Sequence, residues 1–437
     1  MKNKIFVFLF FIPTLILSQE KYTLKQCIEL GLEQNYAIKI VKNSQQISDN
    51  NASIGNAGFL PTVDLSAGYS GTLNNTEQFP FSGDKISNNN IHNYGFNAGI
   101  DVNWTVFNGF SVLTNYHKLK ELQQIGELNT RVSVENFISN FSSEYYNYIR
   151  QSIREKSLRF AIELSKERYR IAKTRYEIGN LSLLEVQQAE VYLNADKSNL
   201  MKQHETLNSI RYTLKELLAI KDIELPIEFA DTIINYDIFL YKEELWQKTL
   251  ENNVFLHIAK KENEISRLDL KNIQSRNYPY LRFNAGYGYS QNRYETGTYQ
   301  RQDNLGLNYG LTLGFNIFDG MNRKRQQQNA KIEMQNNELN YKQLELSLYS
   351  DISNAWMAFQ NNMKLVDLER GNLQTAKNYY EIAMERYLLG ELSGFELREA
   401  QTNLLNAEER LVQAEFDTKL CEITLMQISG QLLKYLE

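Results

Sequence analysis

From Tyr94 the chain alternates in period two: Tyr94, Phe96, Ala98, Ile100, Val102, Trp104 and Val106 are separated by Gly95, Asn97, Gly99, Asp101, Asn103 and Thr105. A later stretch does the same, with Leu305, Leu307, Tyr309, Leu311, Leu313, Phe315 and Ile317 set against Gly306, Asn308, Gly310, Thr312, Gly314 and Asn316. Each stretch has a companion run. Val63, Leu65, Ala67 and Tyr69 alternate with Asp64, Ser66, Gly68 and Ser70, and Leu281, Phe283, Ala285, Tyr287 and Tyr289 with Arg282, Asn284, Gly286 and Gly288. Successive side chains of a strand point to opposite faces, so these runs predict strands over 62–71, 94–107, 280–289 and 305–317. A half-buried sheet in water alternates too, but three features favour lipid. The longer runs match the roughly 9 to 11 residues a tilted strand needs to cross hydrocarbon. Aromatics gather near the strand ends, as at a bilayer interface, and the polar face is Gly, Asn, Ser and Thr rather than Lys and Glu. Phe96, Ile100, Val102, Trp104, Leu311, Leu313 and Phe315 are the expected lipid face. Four strands cannot close a barrel, and unpaired strand edges are not tolerated in lipid. Three copies supply twelve strands, an even number within the range that closes, so the pattern predicts a homotrimer.

Elsewhere the period changes to three and four. Ile138, Phe141, Tyr145 and Tyr148 lie in a proline-free stretch from Asn108 to Ile178, which predicts one helix over 108–178. Roughly 70 residues at about 1.5 Å each give a rod of roughly 105 Å, longer than a globular core requires. A second long helix is predicted over 319–389, with shorter ones over 23–60, 183–219, 243–278 and 395–436. Their Tyr and Leu stripes are core packing, and the charged and Asn/Gln-rich faces suit a hydrated tube.

The chain states this arrangement twice. Pro61 and Ala67-Gly68-Tyr69 recur as Pro279 and Ala285-Gly286-Tyr287, and Phe107-Asn108-Gly109 as Phe318-Asp319-Gly320. The first pair is offset by 279 − 61 = 218 residues and the second by 318 − 107 = 211, so seven residues differ between Tyr69 and Phe107. A duplicated unit that drops residues in a hairpin connection treats it as a surface loop, and the stretch from Thr72 to Asn93 is expected as that loop. Two structural repeats, 19–220 and 241–437, follow, joined by a linker over 221–240 that contains Pro226. The best-matched segments are Arg175-Tyr176 with Gly179, Leu181, Ser182 and Glu185, and Arg386-Tyr387 with Gly390, Leu392, Ser393 and Glu396. In each, a glycine ends one helix and a Ser-x-x-Glu capping box starts the next, a tight helical hairpin. These residues either only turn the chain or present a ring of tips for docking.

Residues 1–18, with Lys2 and Lys4 ahead of an apolar run to Leu17, read as a secretory signal peptide. Removing those two lysines from 47 basic and 52 acidic residues leaves 45 − 52 = −7, which speaks against nucleic acid as a partner. No later stretch is apolar enough for a transmembrane helix. Cys27 and Cys421 are expected as free buried thiols. His92, His117, His204 and His257 are scattered without metal-ligand spacing, and no nucleotide-binding loop occurs, so no enzyme and no cofactor is expected.

The order helix, strand pair, long helix, tip and return helix, stated twice with the Arg-Tyr, Gly, Ser and acidic tip motif, resembles the TolC-family outer-membrane efflux proteins over essentially all of the mature sequence. The resemblance implies a mainly α fold with a transmembrane β-barrel portion: a trimeric barrel with four strands per chain, continued by a long antiparallel coiled-coil tunnel in the periplasm. It implies a passive outer-membrane channel serving a tripartite efflux or type I secretion system. The implied partners are a periplasmic adaptor (membrane fusion protein) that meets the tips Gly179, Leu181, Ser182, Gly390, Leu392 and Ser393, an inner-membrane pump and outer-membrane lipid. It further implies a constriction lined by Glu396 and Glu399, with Glu185 and Tyr387 where polar links between coils are expected. Glu396 is equally well explained as the cap of its helix. The arginine often found two residues after the second tip glycine is Leu392 here, and Arg398 is a substitute for it. A structural or adhesive coiled-coil envelope protein would explain the rods but not the lipid-style strands. A soluble helical-repeat scaffold would show a shorter repeat.

Overall fold

The computed structural model describes residues 21–81, 83–224 and 227–436; the expected signal segment and Pro226 lie outside them. The chain runs β1 (Lys21–Tyr22), α1 (Leu24–Gln34), α2 (Tyr36–Asn51), α3 (Ile54–Ala57), β2 (Thr62–Gln78), β3 (Ile86–Asn108), α4 (Ser111–Glu177) and α5 (Leu183–Leu217). It continues through β4 (Glu228–Phe229), α6 (Lys242–Asn252), α7 (Val254–Ser275), β5 (Tyr280–Arg293), β6 (Arg301–Gly314), α8 (Asn322–Leu389) and α9 (Gly394–Ile428) to a final 3-10 turn, Leu432–Leu436. Two compact units emerge, one from the described parts of Met1–Val41 and Leu346–Glu437 with Arg131–Asn253, the other from Lys42–Thr130 and Val254–Glu345.

The second unit carries a four-stranded antiparallel sheet in the order β2-β3-β5-β6. Its register aligns the two side-chain sets across all four strands. Leu65 sits opposite Ile100, Ile100 opposite Tyr287, and Tyr287 opposite Leu307, one apolar row; the next row on the other face is Ser66, Gly99, Gly288 and Gly306. The apolar face is bare: Leu65 is 81 % exposed and Leu313 73 %. The outer edges of β2 and β6 have no partner strand among the described residues.

The strands differ from the sequence expectation at their ends. Residues 72–78 and 86–93 belong to β2 and β3 and are not loop. Both hairpins have seven-residue connections, 79–85 and 294–300, so the seven extra residues of the first repeat lengthen its strands instead. Polar side chains hold that extension. A bulge sets Asn75 against two residues of β3, and its Oδ1 accepts from the N–H of Asn90, whose φ of 57° places it in the left-handed region. In the second hairpin β6 begins at Arg301 and stops at Gly314, leaving Phe315 beyond the strand.

The duplicated Phe-Asn-Gly and Phe-Asp-Gly motifs make the strand-to-helix joints. Asn108 Oδ1 accepts from the Val112 N–H at 3.1 Å and Asp319 Oδ2 from the Arg323 N–H at 3.0 Å, each satisfying a first-turn donor. Gly109 has φ 66° and a Cβ there would meet the Ser275 carbonyl at 2.1 Å, so only glycine fits. Behind the joint, α4 is tied to α7 by Lys118–Asp269 at 2.5 Å and Lys261–Glu121 at 2.9 Å.

The helices expected over 23–60 and 243–278 are interrupted without proline. At Asn35 the backbone leaves the helix (ψ 128°) and the side-chain oxygen accepts from the Ile38 N–H, restarting the chain as α2. Ser53 likewise caps α3. Asn253 (ψ 123°) separates α6 from α7, and its amide nitrogen donates to the Ile428 carbonyl at 2.9 Å. The last helix ends at Ile428 rather than 436, because Gly430 takes φ 66° against Asn252.

In the first unit, Phe137, Phe141, Tyr145 and Tyr148 of α4 pack with Ile28 of α1, Leu214 of α5, Phe229 of β4 and Ile423 of α9. The Tyr145 hydroxyl donates to Asp231 at 2.7 Å, fixing the linker to this core. Cys27 is fully buried, which pushes its thiol up to about 12 and leaves it inert. Cys421 is only half-buried, against expectation, and accepts from the Asn362 amide. α1 passes α4 closely: a Cβ on Gly31 would lie 2.1 Å from Phe137 Cζ. Gly31→Ala is expected to lower stability by about 1–3 kcal/mol through overpacking, visible as a reduced thermal unfolding midpoint of the purified protein.

Candidate functional site

The two tips are built by one local code. At the end of α4, Gly179 has φ 81°, its N–H reaches the Tyr176 carbonyl at 2.9 Å, and the Asn180 N–H reaches Arg175 O at 2.8 Å. At the end of α8, Gly390 has φ 84° with the equivalent bonds to Tyr387 and Arg386 at 3.0 and 2.9 Å. This glycine-terminated double bond satisfies the last helical carbonyls. Ser182 and Ser393 then cap α5 and α9, with Glu185 and Glu396 reaching back to their backbone N–H groups at 3.3 and 2.9 Å. Bonds from the Ser393 backbone and then its hydroxyl hold the Glu396 carboxyl below the usual carboxylate range.

Identical motifs acquire different contacts. Arg175 crosses to the second tip, where its guanidinium donates to the carbonyls of Tyr387 and Leu388 at 2.8 and 2.9 Å and stacks 5.0 Å over the Tyr387 ring. Its duplicate, Arg386, instead pairs with Glu391 at 3.4 Å. Tyr387 is thereby buried, which raises its hydroxyl pKa, and it packs with Ile171, Ala383, Leu397 and Ala400. Within one chain Glu185 and Tyr387 line a common recess between the tips, Tyr387 packed into the core and Glu185 in its capping box, while Glu396 sits in the second capping box and Glu399 on the exposed surface. Gly179, Ser182, Gly390 and Ser393 are exposed, with Leu181 and Leu392 half-buried beside them.

A polar layer that the sequence reading missed lies inward of the tips. Arg398 of α9 grips Asp196 of α5 through two bonds of 2.7 and 2.8 Å, and the Ser165 hydroxyl of α4 donates to the same carboxylate at 2.5 Å. Gln401 donates to the Ala161 carbonyl at 3.0 Å and to Ser165 at 3.3 Å. Arg168, 2 % exposed, stacks 5.1 Å from the Tyr192 ring and reaches Gln401 at 3.4 Å. Arg398 therefore links coils, but through Asp196 rather than Glu185. The signal was present in the sequence: Asp196 continues the Ala189-Leu193 stripe, and Arg168 the Ala161-Ser165 stripe, so charged residues occupy core register.

Among the described residues no group of His, Cys, Asp and Glu could hold a metal ion, and no helix is long and apolar enough to cross a membrane.

A family model described as outer membrane efflux protein matches residues 27–219 and 245–431. No curated protein matches the chain. Among solved structures, the CmeC outer membrane channel of Campylobacter jejuni is 19 % identical with a TM-score of 0.74, covering 93 % of this chain and 85 % of that one. VceC of Vibrio cholerae is 16 % identical with a TM-score of 0.74, covering 93 % and 96 %. The open state of the Neisseria gonorrhoeae MtrE channel is 15 % identical with a TM-score of 0.73, covering 94 % and 89 %. At these identities the likeness is one of fold, and it is the TolC-like channel fold, helices and sheet together. Both halves of the chain match the family model separately, and the protein therefore belongs to the outer membrane efflux protein family of outer-membrane channels.

Proposed function

We propose that three copies of this chain close a twelve-stranded barrel and form the passive exit duct of a tripartite efflux or type I secretion system. The observation that carries this reading is the sheet: one face apolar and bare, the other Gly, Asn and Ser, and two free edges. Open edges in hydrocarbon would cost several kcal/mol per unpaired group, and joining β2 of one copy to β6 of the next removes them. Phe96, Ile100, Val102, Trp104, Leu311, Leu313 and Phe315 then face lipid, and the polar face lines a wet lumen. The repeats 19–220 and 241–437, joined by 221–240, supply the two coiled coils of each subunit.

At the inner end, a periplasmic adaptor docks on the tips Gly179, Leu181, Ser182, Gly390, Leu392 and Ser393, and an inner-membrane pump selects cargo and supplies energy. Glu396 and Glu399, with Glu185 and Tyr387 nearby, form the constriction. Carboxylates repeated by a threefold axis favour cations. In planar bilayers the purified protein is expected to give discrete conductance steps, and heat-modifiable mobility in detergent gels; neither appearing would defeat the channel assignment. Glu396→Gln with Glu399→Gln, which keeps the capping geometry while removing charge, is expected to lower cation selectivity. Unchanged selectivity would remove these residues from the constriction.

A further inference from the structure

Where the sheet hands over to the helices, three arginines share a recess with a single carboxylate. The recess measures about 450 Å³, and its lining sets Arg276, Arg282 and Arg323 against Asp319, a balance of 3 − 1 = +2. Arg323 is used up locally: its Nε pairs with Asp319 at 3.2 Å, and its two Nη groups donate to the carbonyls of Arg276 and Asn316 at 2.8 and 2.9 Å. The other two guanidiniums stay open to solvent. Arg282 is exposed, stacks 4.7 Å over the Tyr280 ring and makes no hydrogen bond or ion pair among the described residues. Arg276 is exposed too, and spends only Nη1, on the neutral Gln326 oxygen at 3.2 Å.

Register fixes which way Arg282 faces. It sits opposite Thr105 of β3 and Thr312 of β6, within the Gly, Asn and Thr set and one position from the apolar-side Leu281 and Phe283. The next carboxylates on this face of the sheet, Asp101 and Asp64, stand opposite each other two rows further along, roughly 13 Å at about 3.3 Å per residue and too far to pair. Nor does the turn require these cations. By the offsets of the duplication, 276 − 218 = 58, 282 − 218 = 64 and 323 − 211 = 112, the first repeat carries Gly58, Asp64 and Val112 in their places. It makes the same capped joint, with Asn108 accepting from the Val112 N–H. We infer that the recess is an oxyanion-binding site on the export path, where the carboxylate, sulfate or phosphate group of a departing solute accepts from Arg276 and Arg282. This rests on the channel reading above, in which the polar face lines the lumen. The planar guanidinium suits the task because it offers paired donors to two oxygens of one group. Threefold repetition sets three such recesses around one cross-section, a positive belt inward of the Asp64 and Asp101 carboxylates.

The test is conductance of the purified full-length trimer in planar phosphatidylcholine bilayers, with inorganic pyrophosphate added from the barrel side. Wild type is expected to show concentration-dependent block of the potassium current. Arg276→Gln with Arg282→Gln is expected to raise the half-blocking concentration about ten-fold, the loss of charged hydrogen bonds to one anion. Heat-modifiable trimer mobility is expected to hold, since both side chains are exposed. Unaltered block in the double variant, or no block in a conducting wild type, would overturn the recess and leave the channel reading intact. Loss of the trimer in Arg282→Gln would assign that guanidinium to a neighbouring copy and also overturn it. Block that vanishes when phosphatidylglycerol replaces phosphatidylcholine would make a lipid headgroup the occupant, against the inference. A wild type without conductance would defeat the channel reading and this inference together.

Discussion

Ile100→Arg and Leu311→Arg are each expected to abolish the membrane-inserted trimer. Ile100 stands mid-strand in the row Leu65, Ile100, Tyr287, Leu307, and Leu311 faces Phe283 two rows of the same face further along β6. Ile100 is 49 % and Leu311 66 % exposed in the single chain, so little intramolecular packing is lost. Any large effect must come from the surrounding medium. An arginine near the bilayer midplane of a barrel costs about 2–4 kcal/mol, and threefold repetition imposes that cost in every copy of one assembly. Asn304→Arg, one residue before Leu305 and on the opposite face, is the control and is expected to insert normally. Outer-membrane fractionation with heat-modifiable electrophoresis measures both. Equal tolerance of arginine on the two faces would show that the apolar row does not meet lipid.

The second large effect is expected at Asp196. Its carboxylate accepts two bonds from Arg398 and one from Ser165, and both charged partners are shielded from solvent. Asp196→Ala leaves the Arg398 guanidinium uncompensated beside Arg168 and is expected to cost about 3–5 kcal/mol. The double substitution Asp196→Leu with Arg398→Met removes both charges at similar volume and is expected to recover most of that loss. Hydrogen exchange at the tip-proximal turns of α5 and α9, with the thermal midpoint, reads the difference. A single substitution as mild as the double one would mean that water satisfies the pair and that it does not hold the return helices together.

Much of this architecture is legible because it rests on local rules. A period of two marks the strands wherever the two faces meet different media, and Gly179 and Gly390 followed by Ser-x-x-Glu announce both helical hairpins through the same two hydrogen-bond devices. The breaks at Asn35 and Asn253 are not legible in the sequence, because neither carries the proline that stops a helix by local sterics. A side-chain amide that restarts a helix or ties its end to a distant carbonyl does the same through an interaction that composition does not display. The reach of β2 and β3 was missed for a related reason. Asn, Ser and Thr dominate 72–93, and their polarity reads as loop until pairing with the opposite strand satisfies the backbone.

By itself the sequence determined the duplicated plan, the two-faced strands, the long proline-free helices and the tip turns, since each depends on residues within a few positions of one another. Only the tertiary structure decided how equal motifs diverge. Arg175 crosses to the opposite tip while Arg386 stays at home, because a guanidinium takes the nearest unsatisfied oxygen that packing offers. It likewise decided that Arg398 meets Asp196 across 202 residues of chain and that Nε and Nη2 of the buried Arg168 are left without a hydrogen-bond partner. Charge balance in a buried layer is a property of three helices brought together, which no single stretch of sequence contains.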